Sequence, residues 1–458
     1  MIKNITVNKL YGVFDHSIDT KEGNLTLVLG ENGLGKTVIL KMIKSLFDNN
    51  LYEFGNYDFQ FFAISFFDGS ALEISKEVPK ESKHIHPKFE DYILDFSYKK
   101  LNVKKPLKFT ANSESIRENH HKDAHGLYHR RGYDKIEFVL KNYLPFPIDR
   151  VGRDRWFDLR NEMVYNTTDL LEKYAEHLPE EILDELTNKS IPDWFFNITK
   201  SLKVKLVETQ RLLTKLKSDE KEYKNSVIQY SSELKEIIRN KTLEATNLST
   251  KLDRTYTNRL IEKITSTNNS SISSIDKSLE ELEEQRSFLI KVGLLEHDEE
   301  SITPINLNQN YRDDETLKDV LEIYIDDSNQ KLGVYKELSH KLNTLIDIIN
   351  KRFNYKEFSI NKTDGFFFKS TVTNKKIPLS NLSSGEQHEL VLFYELLFNT
   401  LENSLILIDE PEISLHISWQ NQFINDLREI KNLNNFYSII ATHSPDIINN
   451  NWDLTVEL

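Results

Sequence analysis

Two carboxylates at the end of an apolar run are the first residues here whose types and spacing suggest chemistry. Leu405, Ile406, Leu407 and Ile408 run without alternation into Asp409 and Glu410, with Pro411 next. Such a run suits a strand buried on both faces of a parallel sheet. Burying acids at its tip is costly unless a cation or a polarised water is held there. Asp409 is therefore a candidate Mg²⁺ ligand, and Glu410 a candidate activator of water. A strand that merely runs out into a polar loop would read the same way in isolation.

The segment GENGLGKT, from Gly30 to Thr37, supplies something for those acids to act on. It fills every fixed position of the phosphate-loop pattern G-x-x-x-x-G-K-[ST]. Gly30, Asn32, Gly33 and Gly35 form the cradle, whose glycines let backbone N–H groups turn inward around phosphate oxygens. Lys36 brings a point charge to the β- and γ-phosphates, and the Thr37 hydroxyl can ligate Mg²⁺. ATP with Mg²⁺ is the expected ligand.

A second anion-binding turn is expected at LSSGEQ. Ser383, Ser384, Gly385 and Glu386 open a helix, and its dipole and free N–H groups favour negative charge. One nucleotide cannot easily use both turns within one protomer. Two copies arranged head to tail can, each lending its second turn to the γ-phosphate of the other, so a homodimer or higher homo-oligomer is expected. His443 ends the apolar run NFYSIIATHSP, where it could bond the γ-phosphate or the attacking water. By itself it would pass for an ordinary loop histidine.

These residues need strands and helices to hold them. Leu25 to Leu29 precede the phosphate loop as a strand, and VILKMIKSLF follows it as a helix. Alternating runs flank Asp68-Gly69 and Asp364-Gly365, the signal of a hairpin. VKLVETQRLL reads as a core strand whose polar tip, Glu208 to Arg211, borders the same site. Between them the segment from Lys80 to Arg155 is locally basic. Its His120, His121, His125 and His129 have no acidic or Cys partner to complete a metal set, so they read as solvated loop. Asp149 to Trp156 gathers three arginines that could contact phosphates or a partner, although ion pairing with nearby acids would look identical.

From 214 to 353 the pattern changes. Tyr223, Val227, Tyr230, Leu234 and Ile237 step by four and three, the spacing of a coiled-coil seam. Ile275, Leu279, Leu282 and Leu289 resume it after the polar break at Ser266 to Ser271. A third helix carries Leu317, Leu321 and Tyr324, then Tyr335 to Ile349. Charges of both signs cover the other faces, which suggests an antiparallel arm; a compact helical lid is the alternative. A first helix of roughly 45 residues would extend about 65–70 Å. The expected division is 1–213 and 354–458 as two halves of one head, with 214–353 inserted.

Composition sets the remaining bounds. A chain of 458 residues should form two or three structural units, and 26 Phe and 19 Tyr give ample core. No apolar run approaches the roughly 18 residues that span a bilayer, and MIKNITVNKL has no apolar signal region, so no membrane partner is expected. Cys is absent, which removes disulfides and thiol nucleophiles. A cytoplasmic location is the simplest expectation. A net charge of -13 argues against non-specific coating of nucleic acid but leaves a local basic face open.

GENGLGKT, LSSGEQ, LILIDEP and ATHSP resemble, in that order, the Walker A, signature, Walker B and switch-histidine motifs of ABC-type ATPases. A helical insertion between the first two looks like the SMC/RecF branch. IDEPEISLH, the LVETQRLL strand and the HSPDIINNNWDLTVEL ending are similar to the ATPase subunits of bacterial anti-phage systems, the PtuA-type of Septu and the AriA-type of PARIS. The resemblance implies an α/β fold: an ABC-type ATPase head, with a mixed sheet carrying the P-loop and an antiparallel β subdomain, plus an inserted antiparallel α-helical coiled-coil arm. It also implies that Lys36 and Thr37 bind phosphate and Mg²⁺, Asp409 holds Mg²⁺, Glu410 polarises water, and Ser383 to Glu386 act in trans. Ser384 stands where the signature usually has a second Gly, which leaves the speed of turnover open. Related OLD-type proteins follow such a head with a nuclease domain. Here few residues follow His443, so a separate nuclease effector subunit is expected. The other reading is a RecF/SMC-like repair ATPase that clamps DNA when ATP binds.

Overall fold

The computed structural model describes residues 1–21, 23–78, 91–101, 103, 105–113, 115–116, 140–141, 143–144, 147–151, 155–158, 160, 163–166, 170, 174, 191–208, 213–215, 223–265, 272–296 and 315–458. The histidines at 120, 121, 125 and 129, part of the arginine-rich stretch, residues 209–211 and the polar break at 266–271 lie outside these.

Among the described residues, five strands form the central sheet, in the order Val204–Val207, Leu405–Asp409, Tyr437–Thr442, Leu25–Leu29 and Thr455–Glu457. Every pairing in it is parallel. The mixed sheet expected from the resemblance is thus not what these strands form. Each strand enters after a crossover along a face of the sheet, so all of them run the same way. All five residues of Leu405–Asp409 are buried, as the unbroken apolar run requires.

Helix α1 (Lys36–Phe47) covers one face of this sheet. Its Ile39, Leu40 and Ile43 share a core with Val28, Leu405, Leu407, Ile439 and Ala441. The same core includes Ile5, Val7, Phe62, Ile64 and Ile74 from a second, antiparallel sheet of six strands between Ile2 and Asn112. The turn about Asp68-Gly69 joins two of its strands, with Gly69 at φ 79°.

The other face of the parallel sheet packs a different core. Leu27, Ile406, Ile408 and Ile440 meet the helix that starts at the second turn, and also the helices of the 214–353 segment. Four helices are described in that segment: α2 (Ser226–Thr265), α3 (Ile272–Lys291), α4 (Glu315–Gly333) and α5 (Lys336–Asn350). The third helix expected from the sequence is two helices, broken at 334–335. At 40 residues α2 is about 60 Å long. It runs antiparallel to α4, as three ion pairs record: Asp253 with Lys331, Arg259 with Asp327, and Lys263 with Glu322.

The base of this segment is part of the head. Val227, Tyr230, Leu234 and Ile238 of α2, and Leu342, Leu345, Ile348 and Ile349 of α5, are buried with the sheet residues. Ser231 Oγ donates to the carbonyls of Asp364 and Phe366 in the second hairpin, Lys356–Asn361 with Gly365–Ser370. A side chain at Gly365 could not fit, because its Cβ would sit 2.0 Å from the Ser231 carbonyl oxygen. Helices α6 (Ser384–Phe398) and α7 (Ile417–Asn434) complete this layer. Among the described residues, no helix is long and apolar enough to cross a membrane.

Candidate active site

The phosphate loop leaves the Leu25–Leu29 strand and enters α1 through two left-handed glycines, Gly33 at φ 93° and Gly35 at φ 90°. Only glycine takes such angles without strain. Asn32 and Gly33 are exposed, and Gly30 is partly so. Lys36 is 5% exposed, and its Nζ donates to the carbonyls of Gly30 at 2.7 Å and Glu31 at 2.9 Å. The cation is thus parked across its own loop. His16, which the sequence did not single out, braces the loop with Nε2 2.8 Å from the Leu34 carbonyl.

Thr37 and Asp409 meet although 372 positions separate them. The threonine Oγ1 donates to the two carboxylate oxygens at 2.9 and 3.0 Å. Burial raises the Asp409 pKa against the lowering effect of Thr37, with Glu410 adding to the rise. A buried carboxylate beside a hydroxyl is a hard-oxygen pair suited to Mg²⁺. These two residues fit the expected metal, and the positive ion would offset the burial of the acid.

Glu410 is partly exposed and adopts φ 43°, ψ 59°, a left-handed conformation that costs a non-glycine residue on the order of 1 kcal/mol. Its N–H donates to the Ala441 carbonyl at 2.9 Å, which ties the acidic tip to the next strand. A short 3-10 turn, Pro411–Ser414, then carries Glu412 back under the site. Glu412 is 6% exposed, and its Oε1 accepts from Thr442 Oγ1 at 2.7 Å and from His443 N at 2.8 Å. The same oxygen lies 3.0 Å from His443 Nδ1. The sequence reading singled out His443 and missed Glu412, although it stands two residues beyond Glu410. Only the fold shows the pairing.

The second turn is a closed capping box. Ser383 Oγ accepts from Glu386 N at 3.3 Å, and Glu386 Oε2 accepts from Ser383 N at 2.8 Å. Lys356 Nζ contacts Glu386 at 2.5 and 2.6 Å. Burial pushes the Glu386 pKa up, but the bonds from Lys356 and Ser383 outweigh it and hold the carboxyl below its usual range. Two of the four orphan N–H groups of α6 are thereby used. Those of Ser384 and Gly385 have no intrahelical acceptor and lie in an exposed turn.

Glu208 of the predicted polar tip lies 3.7 Å from Lys41 of α1, so that strand end does border the phosphate-loop helix. One chain therefore gathers Lys36, Thr37, Asp409, Glu410 and His443 at the tips of adjacent strands. It holds Ser383 to Glu386 on the helix of the opposite face.

A phosphate loop, a hydroxyl–carboxylate pair and a polar strand tip on one parallel sheet define a P-loop ATPase. A model of the AAA ATPase domain family matches residues 1–448, and the chain belongs to that family. Over 108 residues it is 36% identical to Protein ea59 of Escherichia phage lambda, a stretch that covers 23% of this chain and 20% of that one. The chain thus matches about a fifth of the length of that curated relative. Among solved structures it is similar to an Smc head domain of Pyrococcus furiosus with an extended coiled coil, bound to the C-terminal domain of ScpA. That pair is 11% identical, with a TM-score of 0.35, covering 98% of this chain and 91% of that one. The SMC head domain from Thermotoga maritima is 10% identical, with a TM-score of 0.30, covering 98% and 90%.

Proposed function

We propose that this ATPase works as a homodimer with two composite sites, and that it regulates a separate nuclease effector in bacterial anti-phage defence. The observation that carries the dimer is the position of the two phosphate-binding turns. Helix α1 packs on the face made by Leu405, Leu407 and Ile439, whereas α6 packs on the face made by Ile406, Ile408 and Ile440. The helix that starts at the second turn thus packs on the face opposite the one that α1 covers. In this reading Ser384 and Gly385 meet the γ-phosphate held by a second copy. Lys36 and the loop N–H groups bind the phosphates. Thr37 and Asp409 would hold Mg²⁺, which would screen phosphate charge. Glu410 orients and polarises the attacking water, with His443 beside it. The defence role rests on the likeness of IDEPEISLH and the C-terminal stretch to Septu and PARIS ATPases.

Ser383→Arg should leave nucleotide binding within about twofold, because the first turn carries it, and should abolish hydrolysis by blocking closure. Mixed with Lys36→Ala, it should regain up to about a quarter of wild-type activity, from the one intact site in each mixed dimer. No recovery from confirmed mixed dimers would refute composite sites. Co-purification with a nuclease subunit supports the defence reading. Stable ATP-dependent binding to duplex would instead support a DNA-clamping repair ATPase.

A further inference from the structure

Glu412 has no part in the site as assigned above, yet it is among the most enclosed acids near it. Its side chain is 4% exposed, against 40% for His443. Three groups converge on its Oε1: the Thr442 hydroxyl, the His443 N–H and the His443 ring nitrogen Nδ1. The other oxygen, Oε2, is buried without a hydrogen-bond partner among the described residues. Burying a carboxylate with one oxygen unsatisfied costs more than a neutral acceptor would. A glutamine could accept from the Thr442 hydroxyl and the His443 N–H equally well. What the ionised group adds is that it is acceptor-only. Facing it, Nδ1 must carry the proton, and the neutral ring is left with its lone pair on Nε2.

Backbone and ring of His443 are bound to the same oxygen, which fixes the side-chain rotamer as well as the tautomer. The bracket is itself braced. Ser444 N donates to Thr442 Oγ1 at 3.0 Å, and Ser444 Oγ donates to Gln420 Oε1 at 2.7 Å. Gln420 Nε2 in turn donates to the Leu415 carbonyl at 3.0 Å, at the end of the turn that carries Glu412.

We infer that Glu412 is a positioning residue for ATP hydrolysis: it holds His443 by Nδ1 and presents Nε2, as an acceptor, to the O–H of the attacking water. This rests on the reading of His443 as part of the hydrolytic site. Glu412 itself touches neither nucleotide nor water in this arrangement. It acts only through the ring.

Steady-state ATPase kinetics on the full chain test it. Glu412→Gln keeps the volume and an acceptor but lets the amide turn its NH₂ to the ring. It should lower kcat on the order of 10-fold, with KM for ATP within about twofold and the melting temperature nearly unchanged. In a His443→Ala background the same change should have no further effect, since the only route of action is gone. Glu412→Gln with wild-type kcat, or an equal loss in both backgrounds, would overturn the proposal. Nitrogen-15 spectra of labelled histidine, with His443→Ala to assign the signal, give an independent readout. Wild type should show protonated Nδ1 at His443, and Glu412→Gln should lose that preference. If His443→Ala hydrolyses ATP normally, the reading of His443 fails, while the spectra still decide whether Glu412 holds the ring.

Discussion

Helices α1 and α6 both begin with a turn that offers N–H groups to an anion, but different parts of the chain hold the two turns. The phosphate loop is anchored on the sheets: His16 meets the Leu34 carbonyl, and Thr37 meets Asp409. Its cation rests on its own loop carbonyls. The second turn is anchored on helices and a hairpin. Lys356 grips Glu386, and one turn further along α6 a buried triad joins Glu389, Arg352 just beyond α5, and Asp426 of α7. Arg352 also stacks over Phe393, 4.7 Å from the ring centre. Tyr230 of α2 stacks on Tyr394 of α6 at 4.6 Å and bonds Glu395. The first turn is therefore set by the sheet that carries Asp409 and Glu410. The second takes its position from the helical segment.

That contrast can be broken at several points, the largest first. Excising 219–351 should leave no folded head at all, since it removes Leu234, Ile238, Leu342, Leu345 and Ile349 from the core beneath α6. Losing several such side chains at about 2–5 kcal/mol each exceeds the stability of a typical domain. A cooperative thermal melt and retained ATP binding in that variant would mean the base of the segment is dispensable. At the sheet end, Glu410→Gln should keep ATP bound but slow hydrolysis on the order of 10²–10⁴-fold, because the amide cannot polarise water. An unchanged rate would reduce Glu410 to a strand-end acid.

Lys36→Ala should weaken ATP binding on the order of 100-fold by calorimetry, about 2.7 kcal/mol, while α6 and its triad stay intact. Unaltered affinity would place the nucleotide elsewhere.

The smallest expected effect is on the helix side and depends on pH. Burial raises Glu389 from 4.5 to about 7 and Asp426 from 3.8 to about 6, in both cases against the pull of Arg352. A folded carboxyl with a raised pKa still holds its proton where the unfolded chain has released it. Its effect on stability is therefore a loss as pH climbs from about 4.5 towards about 7 for Glu389. Glu389→Gln should flatten that decline in urea midpoints, with no change in ATP affinity. A decline as steep as in wild type would show that Glu389 stays ionised throughout.

How much of this could be read from the sequence follows from how local each feature is. The phosphate loop needs two glycines at positive φ followed by Lys and Thr, all within eight residues, and Gly33 and Gly35 show those angles. The capping box needs Ser and Glu three apart, and Ser383 and Glu386 close it. The unbroken run from Leu405 is buried along its length. Other features had no local signal. Apolar residues spaced by three and four occur both in a coiled-coil seam and in the buried face of a packed helix, so α5 could be read as arm although it lies in the head's core.

The sequence by itself determined that a phosphate loop, a second small-residue turn opening a helix, two strand-end acids and a histidine would be present, because backbone angles, caps and apolar runs are written within one turn or strand. Tertiary structure decided which of them meet. Thr37 reaches Asp409 and Glu412 reaches His443 only because parallel strands, joined by long crossovers, end side by side. It also put α1 and α6 on opposite faces of one sheet. Sheet order and face are set by the burial of apolar surface summed over the whole core, a quantity that no single stretch of the chain contains.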